Sequence, residues 1–330
     1  MSFANNTPYA AMPVPTIAPD GRDVVVAIVK ATFVRGKDGR ARLADRQFPV
    51  EIGGEVYTPD AVDSSLRFPS DVCSDKRGAD VVVVGDAVAR KPVKSLDVAV
   101  KIRDLTATLR VHGERLYYRG LGGVVVGPAQ SFERKPIVYE RAYGGTTPDG
   151  SRIERRNPVG RGVARDPAAL IDTPAPQIEH PAHPITRAGE APEPVGFGAI
   201  APHWQPRSDF AGTFDEVWKA TRMPILPVDF DLRFHNVAHP TLQLAERLRG
   251  GDRLAILGMT EEELFQIDVP ALTVVLHARY QDGRRESARP SIDTLVVEPA
   301  LGALRLTLRY AFSMGRGTRL LREIQVDSDD

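Results

Sequence analysis

The sequence predicts a mainly β protein, built as an antiparallel β-sandwich or as curved sheets, with long Pro- and Gly-rich loops and one or two short helices. Three observations carry that expectation. Residues 23–35, DVVVAIVKATFVR, are β-branched and apolar, and read as a buried strand. Residues 303–312, ALRLTLRYAF, alternate with period two: Leu304, Leu306, Leu308 and Tyr310 share one face, while Arg305, Thr307 and Arg309 share the other. No alternating βα pattern runs through the chain, which disfavours a doubly wound parallel sheet.

Taken in order, residues 1–22 are rich in Pro and Asn and form an extended N-terminal arm. After the strand at 23–35, the turn at 36–39 returns the chain as a second strand over 40–47. A charged loop, PSDVCSDKRG, precedes the run of four valines at 81–84, which suggests a strand covered on both faces. Residues 95–118 read as a β-meander, with Val98, Val100 and Ile102, then Leu109 and Val111, punctuated by Gly113 and Glu114. GLGGVVVGP at 120–128 lacks the spacing of a phosphate loop and punctuates strands instead. The adjacent Gly144 and Gly145, and the loop Asn157-Pro158-Val159-Gly160, are tight turns. Tyr139, Glu140, Arg141 and Tyr143 form either a buried polar network or an amphipathic strand. Residues 165–193, dominated by Pro, Ala and His, taken alone read as a flexible connection between a lobe at 23–164 and another at 194–330; one continuous domain is the alternative.

Residues 194–240 hold both tryptophans, Trp204 and Trp218, with Phe197, Phe210, Phe214, Phe230 and Phe234. A stretch this aromatic, with this much Pro and Gly, is an ordered crossing that wraps a scaffold. Thr213 to Glu216 matches a capping box, so a short helix is expected there with Phe214, Val217 and Trp218 facing inward, ended by Pro224. Residues 240–249 offer a second helix, or else an extended connection with one helical turn. The last third, with the Asp282-Gly283 hairpin dipeptide, reads as an antiparallel meander with one wet face and an exposed edge open to docking, finishing in a frayed acidic end.

Composition narrows the function. Lys plus Arg is 43 and Asp plus Glu is 43, so no net charge draws the chain towards nucleic acid or an anionic membrane. The single cysteine, Cys73, excludes an internal disulfide and a zinc finger. No apolar run approaches the about 18 residues that span a bilayer, and the first residues lack a secretory pattern, so a cytoplasmic protein is expected. No G-x-S-x-G is present. His235 and His239, with Asp229 and Asp231, are the one imaginable metal set, and with it a metal-assisted hydrolase is the alternative function; their spacing matches no metal motif. Trp204 or Trp218 as a sugar-stacking platform is a weaker alternative.

Several segments, PVGFGAIAPHWQPR, DFAGTFDEVW and MPILPVDFDLRFHNVAHP, together with VHGERLYY, YERAYGG, NPVGRG and PQIEHP, resemble the motifs of a bacterial domain-of-unknown-function family whose members accompany type VI secretion genes. The resemblance implies a non-catalytic adaptor or chaperone that binds an effector protein in the cytoplasm and helps load it onto a VgrG-type spike protein, with no cofactor. It places Tyr139, Arg141, Gly144, Gly145, Asn157, Pro158, Gly160, Glu179, Gly196, Phe197, Trp204, Arg207, Trp218, Pro227, Asp229, Asp231 and Asn236 among the motif positions.

Overall fold

Strand follows strand through the computed structural model, which describes residues 1–59 and 63–328. The β-branched run forms one strand, Asp23–Arg35, of 13 residues. It is flanked antiparallel by Ala10–Ile17 and by Ala303–Ser313. Ile292–Glu298, Ala79–Val83 and Gln243–Leu244 continue this large sheet, with Ala79–Val83 running parallel to Ile292–Glu298. The valine strand is buried throughout, as the sequence predicts. Of the expected return strand at 40–47, only Ala41–Leu43 pairs with Asp23–Arg35. Beyond it the Gln47 side chain accepts from the Thr32 N–H and donates to the Thr32 C=O, which also accepts from the Ala44 N–H.

Two further sheets cover one face of the large one. The first is ordered Ile178–Glu179, Leu105–His112, Ser95–Ile102, Arg253–Leu257 and Leu264–Asp268. Its Val98, Val100, Ile102, Leu109, Leu254 and Ile256 share an apolar layer with Ala31, Val81, Val83, Leu304, Leu306 and Leu308. The second is ordered Ser2–Asn5, Leu321–Ser328, Val274–Tyr280 and Arg285–Ala288, and its Leu276, Ile324 and Val326 meet Val25, Ala27, Val29 and Phe312. The long central strand thus feeds two apolar layers in succession, and each fully buried Val or Leu contributes about 1.5–3 kcal/mol.

Several expectations are corrected. The stretch at 165–193 is tied down: Ile178–Glu179 joins the five-stranded sheet, and Pro167–Leu170 forms a 3-10 turn capped by Asp166. Pro167 opens that turn, where its missing N–H costs nothing, and Pro174 forms a single bridge with Leu116. Strands drawn from 23–164 and from 194–330 mix in the large sheet and in the five-stranded one. Of the two alternatives for residues 240–249, the extended connection with one helical turn is the one found: Pro240–Leu242 is a 3-10 turn, Gln243–Leu244 then pairs with Ala79–Val83, and Leu242, Leu244 and Leu248 are buried.

The C-terminal meander divides between two sheets. The Asp-Gly hairpin, with Gly283 at φ 84°, lies in the four-stranded sheet, whereas Ile292–Glu298 and Ala303–Ser313 lie inside the large one, so no free edge is left on that pair. The wet face is found on the hairpin, where His277, Arg279, Arg285 and Ser287 are exposed, whereas on Ala303–Ser313 the face expected to be wet is buried. Lys30 and Asp71 pair at 2.7 Å, Lys76 and Asp80 at 2.7 Å, and Arg309 and Asp293 at 3.0 Å. Thr307 donates to Asp71, Arg309 also meets the Cys73 sulfur, and Arg305 pairs with Glu298 while lying over the rings of Phe48 and Phe68. Charges enter a protein interior when they are paired in this way. Period-two alternation reports a polar face, and a paired polar layer under a covering loop gives the same pattern as solvent. Of the frayed acidic end expected at 327–330, Asp327 and Ser328 instead pair with Val275 and Val274 in the four-stranded sheet, and 329 and 330 lie outside the described residues.

Candidate docking surface

The sequence motifs converge on one corner of the molecule. Asn157 is fully buried, and its side-chain amide donates to the carbonyls of Tyr139 (2.8 Å) and Tyr143 (2.9 Å). A Cβ on Gly144 would sit 2.2 Å from the Asn157 carbonyl oxygen, and one on Gly160 would sit 2.4 Å from the Asn157 amide nitrogen. Gly145 N–H donates to Asn157, and Thr146 donates to the carbonyl of Pro158. Tyr139 packs edge-on against Trp204, with ring centroids 5.6 Å apart, and leaves no room for a side chain on Gly196. Glu179 is held by Arg115 (2.6 Å) and His112 (2.8 Å). Arg141 donates to Glu114 and Gln177, and Lys135 also donates to Glu114. Burial opposes ionisation of Glu114, but the bonds from Lys135 and Arg141 outweigh it and bring its pKa down to about 2. Neither alternative for Tyr139–Tyr143 holds as a whole: Tyr139–Arg141 is a 3-10 turn, Glu140 accepts from Ser64 and Ser65, and only Arg141 joins the partly exposed polar network around Glu114. Lys135 and Gln177, its other members, carry no sequence signal beyond a lone charge and a Pro-flanked amide.

The aromatic crossing has a buried half and an exposed half. In the buried half, Phe197 and Trp204 are enclosed, and Arg207 donates to the carbonyls of Ile200 (2.6 Å) and Phe234 (2.9 Å). Burial holds the Arg207 pKa down to about 10. Asn236 donates to Asp80 and to the Arg77 carbonyl, which ties the crossing to the edge of the large sheet.

The exposed half surrounds Glu216–Thr221, the one α-helix among the described residues. Its cap is Asp215, whose carboxylate accepts from the Trp218 N–H, and not the expected Thr213. Thr213 instead bonds Asp229 through N–H and hydroxyl, at 3.0 and 2.7 Å. The shift of cap turns the apolar residues outward, correcting the inward facing predicted for them. Phe214 is 54% exposed, Val217 69%, Met223 61% and Val228 84%. Trp218 is half-buried, stacks edge-on with Phe214 at 4.7 Å and donates to the Ile225 carbonyl. The segment is anchored from below: Pro227 is buried against Gly212, Arg222 donates to the carbonyls of Pro19 and Leu226, and Ile225 packs on Gly21. Four large apolar side chains are thus left exposed on the helix and its flanking turns.

The imagined metal set is dispersed into separate bonds. Asp229 serves Thr213, and Asp231 caps Leu232–His235 and pairs with Arg233 at 2.8 Å. His239 caps Pro240–Leu242, with its ring nitrogens on Thr241 and on the Pro194 carbonyl. Among the described residues, no three His, Cys, Asp or Glu side chains gather into a metal-binding group. Trp204 is too enclosed to stack on a sugar.

His235 has a different environment. Its Nε2 is sealed from solvent without a hydrogen-bond partner, and burial, with help from Arg207, Lys76 and Arg309, brings its pKa down to about 4. An unfolded histidine titrates near about 6.5. Below that pH the unfolded chain takes up a proton that the folded chain refuses. The histidine's contribution is therefore intact above pH ~6.5 and is lost as the pH falls towards 4. A His235→Leu variant is expected to show a flatter pH dependence of stability, by up to about 1.4 kcal/mol per pH unit, between those limits. Urea unfolding at pH 7 and 4.5 checks it, and identical pH slopes in the two proteins would refute the assignment.

No helix among the described residues is long and apolar enough to cross a membrane. A sequence family described as "uncharacterized protein conserved in bacteria (DUF2169)" matches residues 20–309. No curated protein and no solved structure matches the chain.

Proposed function

We propose that this chain, which belongs to the DUF2169 family of uncharacterized proteins conserved in bacteria, is a non-catalytic adaptor. It binds an effector polypeptide in the cytoplasm and helps to load it onto a VgrG-type spike of a type VI secretion system. The observation that carries this reading is the patch of Phe214, Val217, Met223 and Val228: four large apolar side chains exposed on a short helix and its flanking turns, held in place by buried anchors. A binder of another polypeptide presents apolar side chains on a pre-ordered element with polar groups around them, and here Asp215, Glu216 and Lys219 supply the polar surround. The motif resemblance supplies the class of partner. The bonding of each motif residue to its own neighbours supports a scaffolding role for them rather than a reacting centre.

The test is capture of the neighbouring gene's effector by tagged protein. Phe214→Asp combined with Val217→Asp is expected to abolish co-purification while lowering stability by no more than about 2 kcal/mol, since Phe214 gives up its edge contact with Trp218 and Val217 is exposed. Undiminished capture by this variant removes the patch from the interface and with it the main support for the adaptor reading.

A further inference from the structure

An exposed sheet edge of the kind expected in the last third is found at Arg285–Ala288. This strand ends the four-stranded sheet and, among the described residues, pairs only with Val274–Tyr280. It is fixed from beneath. Arg284 lies over the Tyr280 ring at 3.7 Å, and Glu286 accepts from the hydroxyls of Tyr280 (3.0 Å) and Tyr310 (3.2 Å). The edge is thus held extended in advance, which lowers the ordering cost of binding. It runs between two cavities, and Glu286 lines both. One, of about 520 Å³, opens on the solvent face of the sheet between His277, Arg279, Arg285, Ser287 and Glu323. The other, of about 630 Å³, is lined on its apolar side by Val24, Leu232, Tyr310 and Ala311. In the first cavity the register sets Arg279 directly opposite Arg285. Like charges opposed across two strands repel. Glu323 balances Arg279 at 2.9 Å, whereas Arg285 is exposed and enters no ion pair among the described residues.

We propose that the outer edge of Arg285–Ala288 takes up an extended polypeptide segment as a fifth strand, one in which acidic and apolar side chains alternate. Backbone bonds along the edge supply affinity, and successive side chains fall to opposite faces of the added strand. The acidic ones meet Arg285 and Arg279 on the solvent face. The apolar ones enter the cavity beside Leu232, Tyr310 and Ala311 on the other. A guanidinium fork matches a planar carboxylate in two parallel bonds, so one acid relieves the Arg279–Arg285 opposition. A charge on an edge strand turns away a second copy of the same edge. For an acidic segment the same charge is an attraction. The edge lies on a different element from the Phe214 patch, and its chemistry does not depend on the adaptor reading.

The test titrates the full-length chain into a fluorescently labelled peptide, Thr-Val-Glu-Val-Glu-Val-Thr-amide, and reads anisotropy. Hydrogen exchange with mass spectrometry then locates the contact. Saturable binding is expected, with exchange slowed in fragments that span residues 285–288. A peptide with Lys in place of Glu, and one with its valines and glutamates in separate blocks, are expected to bind about tenfold more weakly or worse. Arg285→Glu is expected to reverse the preference between the Glu and Lys peptides, and at an exposed position it leaves the fold intact. No saturable binding, slowed exchange only elsewhere, equal binding of the block peptide, or an unchanged preference in Arg285→Glu would each overturn the proposal. The titration uses no effector, so failure of the edge and failure of the adaptor reading appear in separate measurements.

Discussion

Asp80→Ala is expected to remove about 3–5 kcal/mol of folding stability, the loss that follows when one partner of a buried ion pair is deleted. Asp80 is fully enclosed and accepts from Lys76 (2.7 Å), from the backbone N–H of Val237 (2.7 Å) and from Asn236 (3.2 Å). Truncation leaves an ammonium group in the interior with only the Thr294 hydroxyl beside it, and leaves the Val237 N–H without an acceptor. Domains have total stabilities of only about 5–15 kcal/mol, so much of the margin goes. Chemical denaturation at pH 7 measures the loss. The double variant Asp80→Ala with Lys76→Met should recover a good part of it, because the stranded charge is then gone. A loss below about 1 kcal/mol in the single variant would show that the pair is dispensable.

Trp204→Ala is expected to cost about 3–5 kcal/mol, the range for removing a large ring from a packed site. Its indole is enclosed by Tyr139, Ile200 and Ala201, and its N–H bonds the neighbouring His203 ring. The loss also reaches the motif corner, since Tyr139 is the common wall between Trp204, Gly196 and the Asn157 amide. Thermal unfolding checks the stability, and solvent quenching of tryptophan fluorescence in Trp218→Phe, which retains only Trp204, checks the enclosure. A tryptophan that is freely quenched in that variant contradicts the packing described above.

Period-two patterning made most of the strands legible, because burial on one face of a pleated chain leaves a direct mark in the residue order. The strands at 98–102 and 274–280 follow from it, whereas Asp23–Arg35 and the valine strand, buried on both faces, are marked by unbroken β-branched runs. What the pattern cannot carry is the identity of the surroundings. Arg305, Thr307 and Arg309 read as solvent-facing because their partners, Glu298, Asp71 and Asp293, lie 7, 236 and 16 positions away and announce nothing locally. The helix at Glu216–Thr221 was legible in place but not in orientation. Asp215 competes with Thr213 for the cap, and Asp229 draws Thr213 off.

The strand Ala303–Ser313 is enclosed on both sides by opposite surroundings, with leucines against an apolar layer and arginines against carboxylates and rings. A slip of one position against Asp23–Arg35 would exchange the two sets, pressing guanidinium groups into hydrocarbon and leucines onto Lys30 and Asp71. Misalignment is thus penalised from above and below at once, and the centre of the protein admits a single pairing whatever the turns at its ends allow.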